Sequence, residues 1–499
     1  MLKTIGRLVG ILILFGSGFC QAKLLDKADN KQLSVAVRFF SKPIDPHFSN
    51  HASLNKIARQ LFDTLVNFDS SSHPMPGIAS HWDIDYARNK ITVYIRPDAK
   101  FHNGKPIVCA DILFSLIRST NNGNFLINQM RDIDQCLKIG SCSGFQVSND
   151  KVCSFTLQNG NFSLFLKKLA SMQASIITLD HGKIIGSGPF KIEKETDLSI
   201  ETTRIRDINQ TNIQKIIFRK YTVPISIEEF AEKRLDELDS LDANLVGIKA
   251  PEGTTVVEFP APNTYVMELN LRKGPFAHRE IREALSLAFE PETFLTDTNT
   301  NGKPADSFIP PGLFGYAPKK AVNDEIKAKV LVKKRFGNRP MKIRIGFFNK
   351  YSDNYLRALV GWVEKIGAQP VIIKATFDDL LKKMRNNEID CMIRFHTTQN
   401  YDVGSIFEAF ESGSHSNISG FRSKKFDKIL IEYESIIDAD LKKRHLKLMQ
   451  DFLDEEKPFI KMYYPIQTIW YAKKINIQNP VDLGLRFWEF PYREFSLRE

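Results

Sequence analysis

The chain has 499 residues, of which 42% are hydrophobic and 25% are charged, and its formal net charge is +11. This composition is ordinary for a soluble globular protein. The length exceeds what one hydrophobic core usually organises, so we expect two or three domains. The basic residues are scattered along the chain instead of concentrated in one arm. That distribution argues against a nucleic-acid-binding protein, and we expect no nucleic-acid partner.

The N-terminus has the pattern of a secretory signal peptide. Two cations precede an apolar run at residues 8–15, and small residues follow it. The run is too short to span a bilayer, and no later stretch approaches the ~18 apolar residues that spanning requires. We therefore predict a signal peptide over residues 1–22, cleaved after about Ala22, and export to the periplasm. Lipidation at Cys20 ranks second, because Phe19 stands where a lipoprotein signal normally has Gly or Ala.

The predicted mature chain contains an odd number of cysteines, namely Cys109, Cys136, Cys142, Cys153 and Cys391. Cysteines can pair in an oxidising compartment, and an odd number leaves at least one unpaired. Cys136 and Cys142 are close together in a polar stretch that we interpret as a loop, and they are the pair that we expect. No histidine accompanies the clustered cysteines at metal-ligand spacing, so we expect no metal site there.

The N-terminal part of the chain mixes strand and helix patterns. We predict a strand at residues 33–40, followed by breaks at two prolines, and a helix at residues 55–69. Residues 91–96 alternate apolar and polar side chains, which predicts a half-buried strand. Asn103 and Gly104 suit a tight turn after it. An amphipathic helix follows, and its apolar face consists of Ile112, Leu113, Leu116 and Ile117.

His102 and three motif-like fragments could suggest chemistry. His102 sits in the turn without a second His, Cys or carboxylate at ligand spacing, so we interpret the turn as structural. "GSCSG" around Cys142 lacks the strand and helix of a nucleophile elbow. "GSGPFK" lacks the third glycine of a dinucleotide loop, and "HFSNH" at His47 lacks the glutamate of a zincin. No nucleophile, base and orienting acid come together, so we do not expect an enzyme.

The second half of the chain contains a clear alternation of elements. After a strand, a Gly-Pro turn and a helix, residues 341–396 alternate strand, helix, strand, helix and strand. That order predicts a βαβαβ unit with a parallel sheet. Ligands of such units lie beyond the carboxyl ends of the strands, which here are near residues 347–351 and 395–401.

Several segments in order along the chain resemble one protein family. They are "LSVAVRFFSKPIDPHFS", "RQLFDTLVNFD", "PMPGIASHWDID", "YIRPDAKFHNGKPIVCADILFSLIRS", "GSGPFKI", "YVMELNLRKGPFAHREIREALSLAF", "PPGLFGY", "SGSHSNISGFRSKKFDKIL" and "YPIQTIWYAKKI". Together they resemble the extracytoplasmic solute-binding proteins of ABC transporters, family 5, which includes oligopeptide-, dipeptide- and nickel-binding proteins. The resemblance covers nearly the whole predicted mature chain.

The resemblance implies the fold and the division into lobes. It implies an α/β, two-lobed periplasmic-binding-protein fold (type II, cluster C) with mixed sheets and a hinge between the lobes. The first lobe would comprise residues 23–260 and 470–499, with a subdomain at about residues 60–178, and the second lobe residues 261–469. The chain would cross between the lobes near residues 260–271 and 459–471.

The resemblance also implies a function. The protein would be a monomer that binds a peptide or peptide-like solute in the cleft between the lobes and delivers it to a membrane permease of an ABC importer. Alternatives on the same scaffold are a non-transport binder, chaperone-like or sensory, and a binder of a non-peptide solute. No cofactor is implied.

We expect the ligand-binding side chains to come from the N-terminal strand end, the first crossing and a second-lobe loop. They are Phe39, Phe40, Tyr265, Asn270, His396, Gln399, Asn400, Tyr401 and Asp402. In peptide-binding relatives an acidic residue after a second-lobe strand clamps the free amine of the peptide. This chain has Gln399 there and Asp402 three residues later. A neutral amide offers no full opposite charge, so we expect a polar, largely neutral or backbone-rich ligand.

Each of these positions also has a structural interpretation. Phe39 and Phe40 point in opposite directions if they lie on one strand, so only one can face the cleft. Asn270 could tie down backbone at the hinge, and Asp402 could cap the following helix. His396 lacks a second imidazole at evident spacing, so we do not expect a metal such as nickel.

Overall fold

The computed structural model describes most of the chain. The described residues are 31–48, 52–68, 73–121, 130–158, 160–207, 211–240, 245, 248–398, 403–436, 438–477, 492 and 495–497. The predicted signal peptide, with its cleavage point and Cys20, lies outside them.

The described residues form a mixed α/β structure. The strands are β1 (Gln32–Val37), β2 (Val66–Phe68), β3 (Pro74–Pro76), β4 (Ala79–Asp85), β5 (Lys90–Ile95), β6 (Phe145–Asn149), β7 (Val152–Thr156), β8 (Thr178–Asp180), β9 (Lys183–Ile185), β10 (Phe190–Glu195), β11 (Ser199–Arg204), β12 (Lys215–Lys220), β13 (Glu237–Asp239), β14 (Thr255–Pro260), β15 (Asn263–Leu269), β16 (Gly302–Pro304), β17 (Met341–Phe348), β18 (Ala368–Ala375), β19 (Cys391–Thr397), β20 (Phe459–Tyr471), β21 (Ile475–Asn476) and β22 (Ser496–Leu497). The α-helices are α1 (Ala52–Leu61), α2 (Cys109–Asn121), α3 (Ile133–Ile139), α4 (Phe162–Ala170), α5 (Val223–Ala231), α6 (Arg279–Leu287), α7 (Pro291–Thr298), α8 (Glu325–Phe336), α9 (Asp353–Lys365), α10 (Phe377–Arg385), α11 (Lys424–Ser435) and α12 (Ala439–Glu456). Short 3₁₀ helices lie at Pro46–Phe48, Met172–Ala174, Pro275–Ala277 and Val403–Phe410.

One long strand joins two groups of strands into a large mixed sheet. The sheet order is β10-β11-β12-β1-β13-β20-β15-β19-β17-β18, and β14 and β16 also pair with β20. The first part of β20 pairs with β15, whereas its last part, from Ile466 to Tyr471, pairs with β14. The segments in which the sequence predicts crossings between lobes, residues 260–271 and 459–471, contain β15 and β20, which pair with each other.

The predicted βαβαβ unit is confirmed. Strand β17 pairs in parallel with β18 on one side and with β19 on the other, and helices α9 and α10 connect them in chain order. The apolar side chains of Ile343, Ile345 and Phe347 on β17 are buried. Three parallel strands therefore end at the same edge of the sheet.

A separate four-stranded antiparallel sheet, in the order β4-β5-β7-β6, belongs to the N-terminal part of the chain. The alternation predicted on β5 is present, with Ile91, Val93 and Ile95 buried on one face. Helix α2 packs on the same core through Ile112 and Leu116, both fully buried. The sequence pattern around the tight turn thus predicted both elements correctly.

The turn between β5 and α2 holds the small sheet against the segment "GSGPF". The backbone N–H of His102 donates to the Gly186 carbonyl, and the ring Nε2 lies 3.0 Å from the Gly188 carbonyl. Burial lowers the pKa of His102 to about 4, although the Gly188 hydrogen bond works in the opposite direction. The neutral ring therefore donates its Nε2–H, and Gly104 has a φ of 85°, which glycine favours. The turn is structural, as predicted.

Two predicted elements differ from the structure at their ends. The helix predicted over residues 55–69 begins at Ala52 and ends at Leu61, because the Leu61 carbonyl accepts a hydrogen bond from the Gly188 N–H at 2.9 Å. Strand β2 then occupies part of the predicted helix. The strand predicted over residues 33–40 ends at Val37. Tertiary contacts thus override the local pattern at both ends.

The predicted disulfide between Cys136 and Cys142 is present. Its surroundings differ from the polar loop that the sequence indicated, because Cys136 is buried within helix α3. Cys109, Cys153 and Cys391 are buried free thiols.

Candidate ligand-binding cleft

Four tyrosines and a phenylalanine meet where the parallel strands end. The ring of Tyr265 on β15 stacks on Tyr463 of β20 at 4.7 Å between centroids and lies 5.4 Å from Phe395 of β19. Tyr351 and Tyr355 stack on each other at 5.0 Å, and the Tyr355 and Tyr463 hydroxyls are 2.9 Å apart. We call these five residues the tyrosine cluster.

Strand register explains this convergence. Tyr265 lies directly opposite Phe395 in the pairing of β15 with β19, and opposite Tyr463 in the pairing with β20. Cross-strand partners on one face have neighbouring side chains. Tyr351 follows the carboxyl end of β17, and Tyr355 lies in the first turns of α9.

The phenols of Tyr265, Tyr351 and Tyr463 remain protonated in the physiological range. Burial raises the pKa of Tyr265 to about 12, and the neighbouring Tyr355 adds to the effect. Burial and the neighbouring tyrosines also raise the pKa values of Tyr351 and Tyr463. The ring of Phe395 is 45% exposed. Tyr463 is 3% exposed, and the other three tyrosines are partly buried against the same core, so Phe395 is the exposed ring of the cluster.

His396, a predicted ligand contact, is one of three interacting polar residues beneath the surface. Its Nε2 is 3.4 Å from the Glu268 carboxylate, and Arg394 donates to the same carboxylate at 3.0 Å. Burial lowers the pKa of His396, although Glu268 opposes that effect. Burial alone would raise the pKa of Glu268, but Arg394 and His396 bring it below its usual range. The His396 ring also contacts the ring of Phe308 at 5.3 Å.

Asn270, at the end of the first predicted crossing, is fully buried. Its side-chain amide donates to the carbonyls of Met384 and Ile389, at 3.0 and 3.2 Å. Its side-chain oxygen accepts from the Arg272 N–H at 3.1 Å. These contacts fix backbone between β15 and the βαβαβ unit.

Phe39 and Phe40 follow β1, and their exposures differ strongly. Phe39 is 45% exposed, whereas Phe40 is 5% exposed and belongs to the core of the sheet that contains β1. The ammonium group of Lys220, at the end of β12, lies 5.8 Å from each ring centroid. A cation beside aromatic rings at this distance is favourable. Phe39 and Lys220 thus present an aromatic and cationic surface at the carboxyl ends of β1 and β12.

The predicted loop residues Gln399, Asn400, Tyr401 and Asp402 lie outside the described residues. The sequence reasoning did not select Tyr351, Tyr355, Phe395 or Tyr463, although the rule on strand ends pointed to residues 347–351 and 395–401. Tyr463 carried no local signal, because it reaches the cluster through the pairing of β20 with β15.

Two further properties concern membrane spans and metal sites in the described ranges. Within them, no helix has the length and apolarity needed to cross a membrane. No grouping of three or more His, Cys, Asp or Glu side chains in the same ranges could hold a metal ion.

The comparison with protein families identifies the class of protein. The family described as bacterial extracellular solute-binding proteins, family 5 Middle, matches residues 73–417. This match covers more than half of the chain, and the chain belongs to this family. The resemblance seen in the sequence is thereby confirmed, and the family is one of binding proteins.

Individual relatives match over most of their length. The periplasmic murein peptide-binding protein MppA of Escherichia coli K12 is 23% identical over 507 residues, covering 92% of each chain. The periplasmic oligopeptide-binding protein OppA of Escherichia coli K12 is 22% identical and covers 85% of each chain.

Solved structures confirm the fold. The unliganded open form of MppA superposes with a TM-score of 0.76 at 17% identity, covering 94% of this chain and 98% of that one. HbpA2 from Haemophilus parasuis superposes with a TM-score of 0.79 at 19% identity, covering 94% and 100%. The predicted fold class, an α/β two-lobed periplasmic-binding-protein fold, is correct.

Proposed function

We propose that this protein is the substrate-binding component of an ABC importer and binds a peptide or peptide-like solute between its two lobes. It then delivers the solute to a membrane permease. The observation that carries the proposal is the position of the tyrosine cluster. The cluster lies at the strand ends of the βαβαβ unit. One of its members, Tyr463, belongs to β20, the strand that joins the two groups of strands. Small-molecule sites favour such places between lobes.

The ligand class follows from the relatives and from the chemistry of the described surface. MppA is named for murein peptides and OppA for oligopeptides. The tyrosine cluster supplies rings and neutral hydroxyls, which can pack on side chains and donate to peptide carbonyls. Phe39 with Lys220 supplies a cation on the first-lobe side. This combination favours a ligand that is recognised mainly through its main chain or carboxylate. Its free amine would contribute less to recognition.

The predicted ligand contacts receive unequal support. The ring of Phe39 is exposed, and Tyr265 lies beside the exposed ring of Phe395. We retain both as ligand contacts, together with Gln399, Asn400, Tyr401 and Asp402. Phe40, Asn270 and His396 also remain predictions, but their described contacts support a structural role beneath the cleft.

The remaining parts of the proposal concern domain organisation and location. The first lobe comprises residues 23–260 and 470–499 and the second comprises residues 261–469. The protein acts as a monomer in the periplasm after removal of residues 1–22, and it binds its solute without chemical turnover. The names of the relatives, which are periplasmic binding proteins, support this location.

The test begins with mass spectrometry of small molecules that co-purify with the exported protein. Calorimetric titration with a short peptide and with its amine-acetylated form then follows. We expect micromolar or tighter binding of a peptide and a loss on acetylation well below the ten- to hundredfold that removal of a charged hydrogen bond of roughly 1.5–3 kcal/mol would cause. The peptide assignment would be overturned if no peptide co-purified with the protein and no member of a peptide library bound to it in titrations.

A further inference from the structure

Two buried thiols lie side by side in the core of the small four-stranded sheet. Cys109 is the first residue of α2, and Cys153 is the second residue of β7. Both side chains are 0% exposed and belong to the same hydrophobic core, and each thiol shifts the pKa of the other. The third described thiol, Cys391, belongs to a different core, around β17 and α9. The sequence left the partners of all three open.

The backbone on both sides of the thiol pair is held in place. The Cys109 N–H donates to the Asp150 carbonyl at 2.9 Å, and the Lys151 ammonium donates to the Ile107 carbonyl at 2.7 Å. Cys153 is paired opposite Val93 in the sheet. The start of α2 is therefore tied to the turn before β7. This tie keeps the two thiols next to each other in the folded protein.

The two thiols are coupled to each other in the folded core. The Cys153 thiol lowers the pKa of Cys109, whereas the contact with Cys109 together with burial raises the pKa of Cys153. The thiolate is the attacking species in thiol–disulfide exchange.

We propose that Cys109 and Cys153 form a second disulfide when the chain folds in an oxidising compartment, a setting that rests on the proposed export. The thiolate of one of the two cysteines attacks one sulfur of an external disulfide, either of a protein oxidant or of oxidised glutathione, and expels one thiolate. The other cysteine loses its proton and attacks the sulfur of the first, which expels the second oxidant thiolate. The protein loses two protons and two electrons, and the oxidant becomes two thiols. Because both side chains are inaccessible after folding, the exchange precedes the packing of α2 on β7.

The test counts thiols in the exported protein. The protein is quenched in acid, denatured without reductant, alkylated with N-ethylmaleimide and mapped by peptide mass spectrometry. We expect alkylation of Cys391 alone, and a linked peptide pair, 2 Da below the sum of its reduced peptides, that contains Cys109 and Cys153. Alkylation of Cys109 and Cys153 in molecules whose Cys136–Cys142 disulfide is intact would overturn the inference.

A second experiment separates this inference from the proposed export. Reduced, denatured protein is refolded with a mixture of reduced and oxidised glutathione, and its thiols are counted in the same way. Loss of four thiols supports the inference whatever the compartment, whereas loss of only the Cys136 and Cys142 thiols contradicts it. The Cys109→Ser variant should then retain an alkylatable Cys153. If the refolded protein forms both disulfides but the isolated protein has neither, the proposed export is wrong and oxidation in the cell is overturned with it.

Discussion

The ammonium group of Lys442 donates a hydrogen bond to the hydroxyl of Ser163, although 279 residues separate them along the chain. Ser163 lies in α4, whose neighbouring apolar side chains pack in the core of the small sheet. Lys442 lies in α12, which packs in a separate core with the 3₁₀ helix at Val403–Phe410. Lys167 lies 5.1 Å from the ring of Tyr433 beside this contact. Helices of the two proposed lobes therefore contact each other directly.

This contact predicts a role for Lys442 in ligand affinity. If closure of the lobes brings α4 and α12 together, the Lys442→Met variant loses a hydrogen bond of the closed form. A hydrogen bond to a charged group contributes about 1.5 kcal/mol, which corresponds to about tenfold in affinity. We expect the dissociation constant for peptide to rise by about that factor in isothermal calorimetry, with an unchanged stoichiometry.

Lys443 provides the matched control for Lys442. It is the next residue of α12, it is exposed, and Lys443→Met removes the same charge. We expect this variant to bind peptide as the unsubstituted protein does. Equal affinities for the two variants would show that the contact between α4 and α12 does not contribute to closure.

The tyrosine cluster predicts a large effect of Tyr265→Ala on binding. Removal of this ring takes away the stacking partner of Tyr463 and a face proposed to contact the ligand. Loss of an aromatic contact with the ligand costs about 1.5 kcal/mol, so we expect a roughly tenfold weaker affinity by calorimetry. Tyr265→Phe keeps the ring, and we expect it to retain most of the affinity.

Tyr86 serves as the control for loss of a tyrosine ring. It lies in the small-sheet region and is 64% exposed. The Tyr86→Ala variant should bind peptide normally. If Tyr265→Ala and Tyr86→Ala both bound with full affinity, the tyrosine cluster would not be part of the ligand site.

His102 predicts a pH dependence of stability. Its pKa is about 4 in the folded protein, below the ordinary value of 6.5, because burial disfavours the charged ring. As the pH falls from 6.5 towards 4, the unfolded chain binds a proton at this site and the folded protein does not. His102 therefore contributes a loss of stability of roughly 3 kcal/mol over this window and none above it. The measurement is the free energy of unfolding in urea at several pH values.

The His102→Gln variant should show a shallower fall in stability between pH 6.5 and 4, by up to about one proton in slope. The control is His81→Gln, at an exposed position on β4, which we expect to leave the slope as it is. A slope unchanged by His102→Gln would mean that the buried ring is not held neutral by the turn.

Local periodicity explains why much of the fold could be predicted from the sequence. The alternation of Ile91, Val93 and Ile95 and the strand–helix alternation after Met341 are properties of neighbouring residues, so they are visible without the fold. The end of α1 at Leu61 was not predictable in this way. It depends on a hydrogen bond with Gly188, which lies far along the chain.

The candidate site was predicted only in part for the same reason. The rule on strand ends pointed to the region of the tyrosine cluster, because it depends on the βαβαβ order alone. The particular residues depend on register between distant strands, which places Tyr265 opposite both Phe395 and Tyr463. A one-residue shift in either pairing would move those rings to the other face.

Two glycines, one in the "GSGPF" segment and one in α9, should respond in opposite ways to substitution by alanine. A Cβ added at Gly188 would lie 2.6 Å from the Gln60 carbonyl oxygen and 2.5 Å from the Leu61 carbonyl carbon, backbone atoms that have little room to move. We expect Gly188→Ala to lower the free energy of unfolding by about 3 kcal/mol. A Cβ added at Gly361, within α9, would have no described atom within 4 Å outside its own stretch of helix. Gly361→Ala should therefore stabilise the protein by about 1 kcal/mol through helix propensity. The measurement is the midpoint of unfolding in urea for each variant. Equal midpoints for the two variants would contradict the described packing.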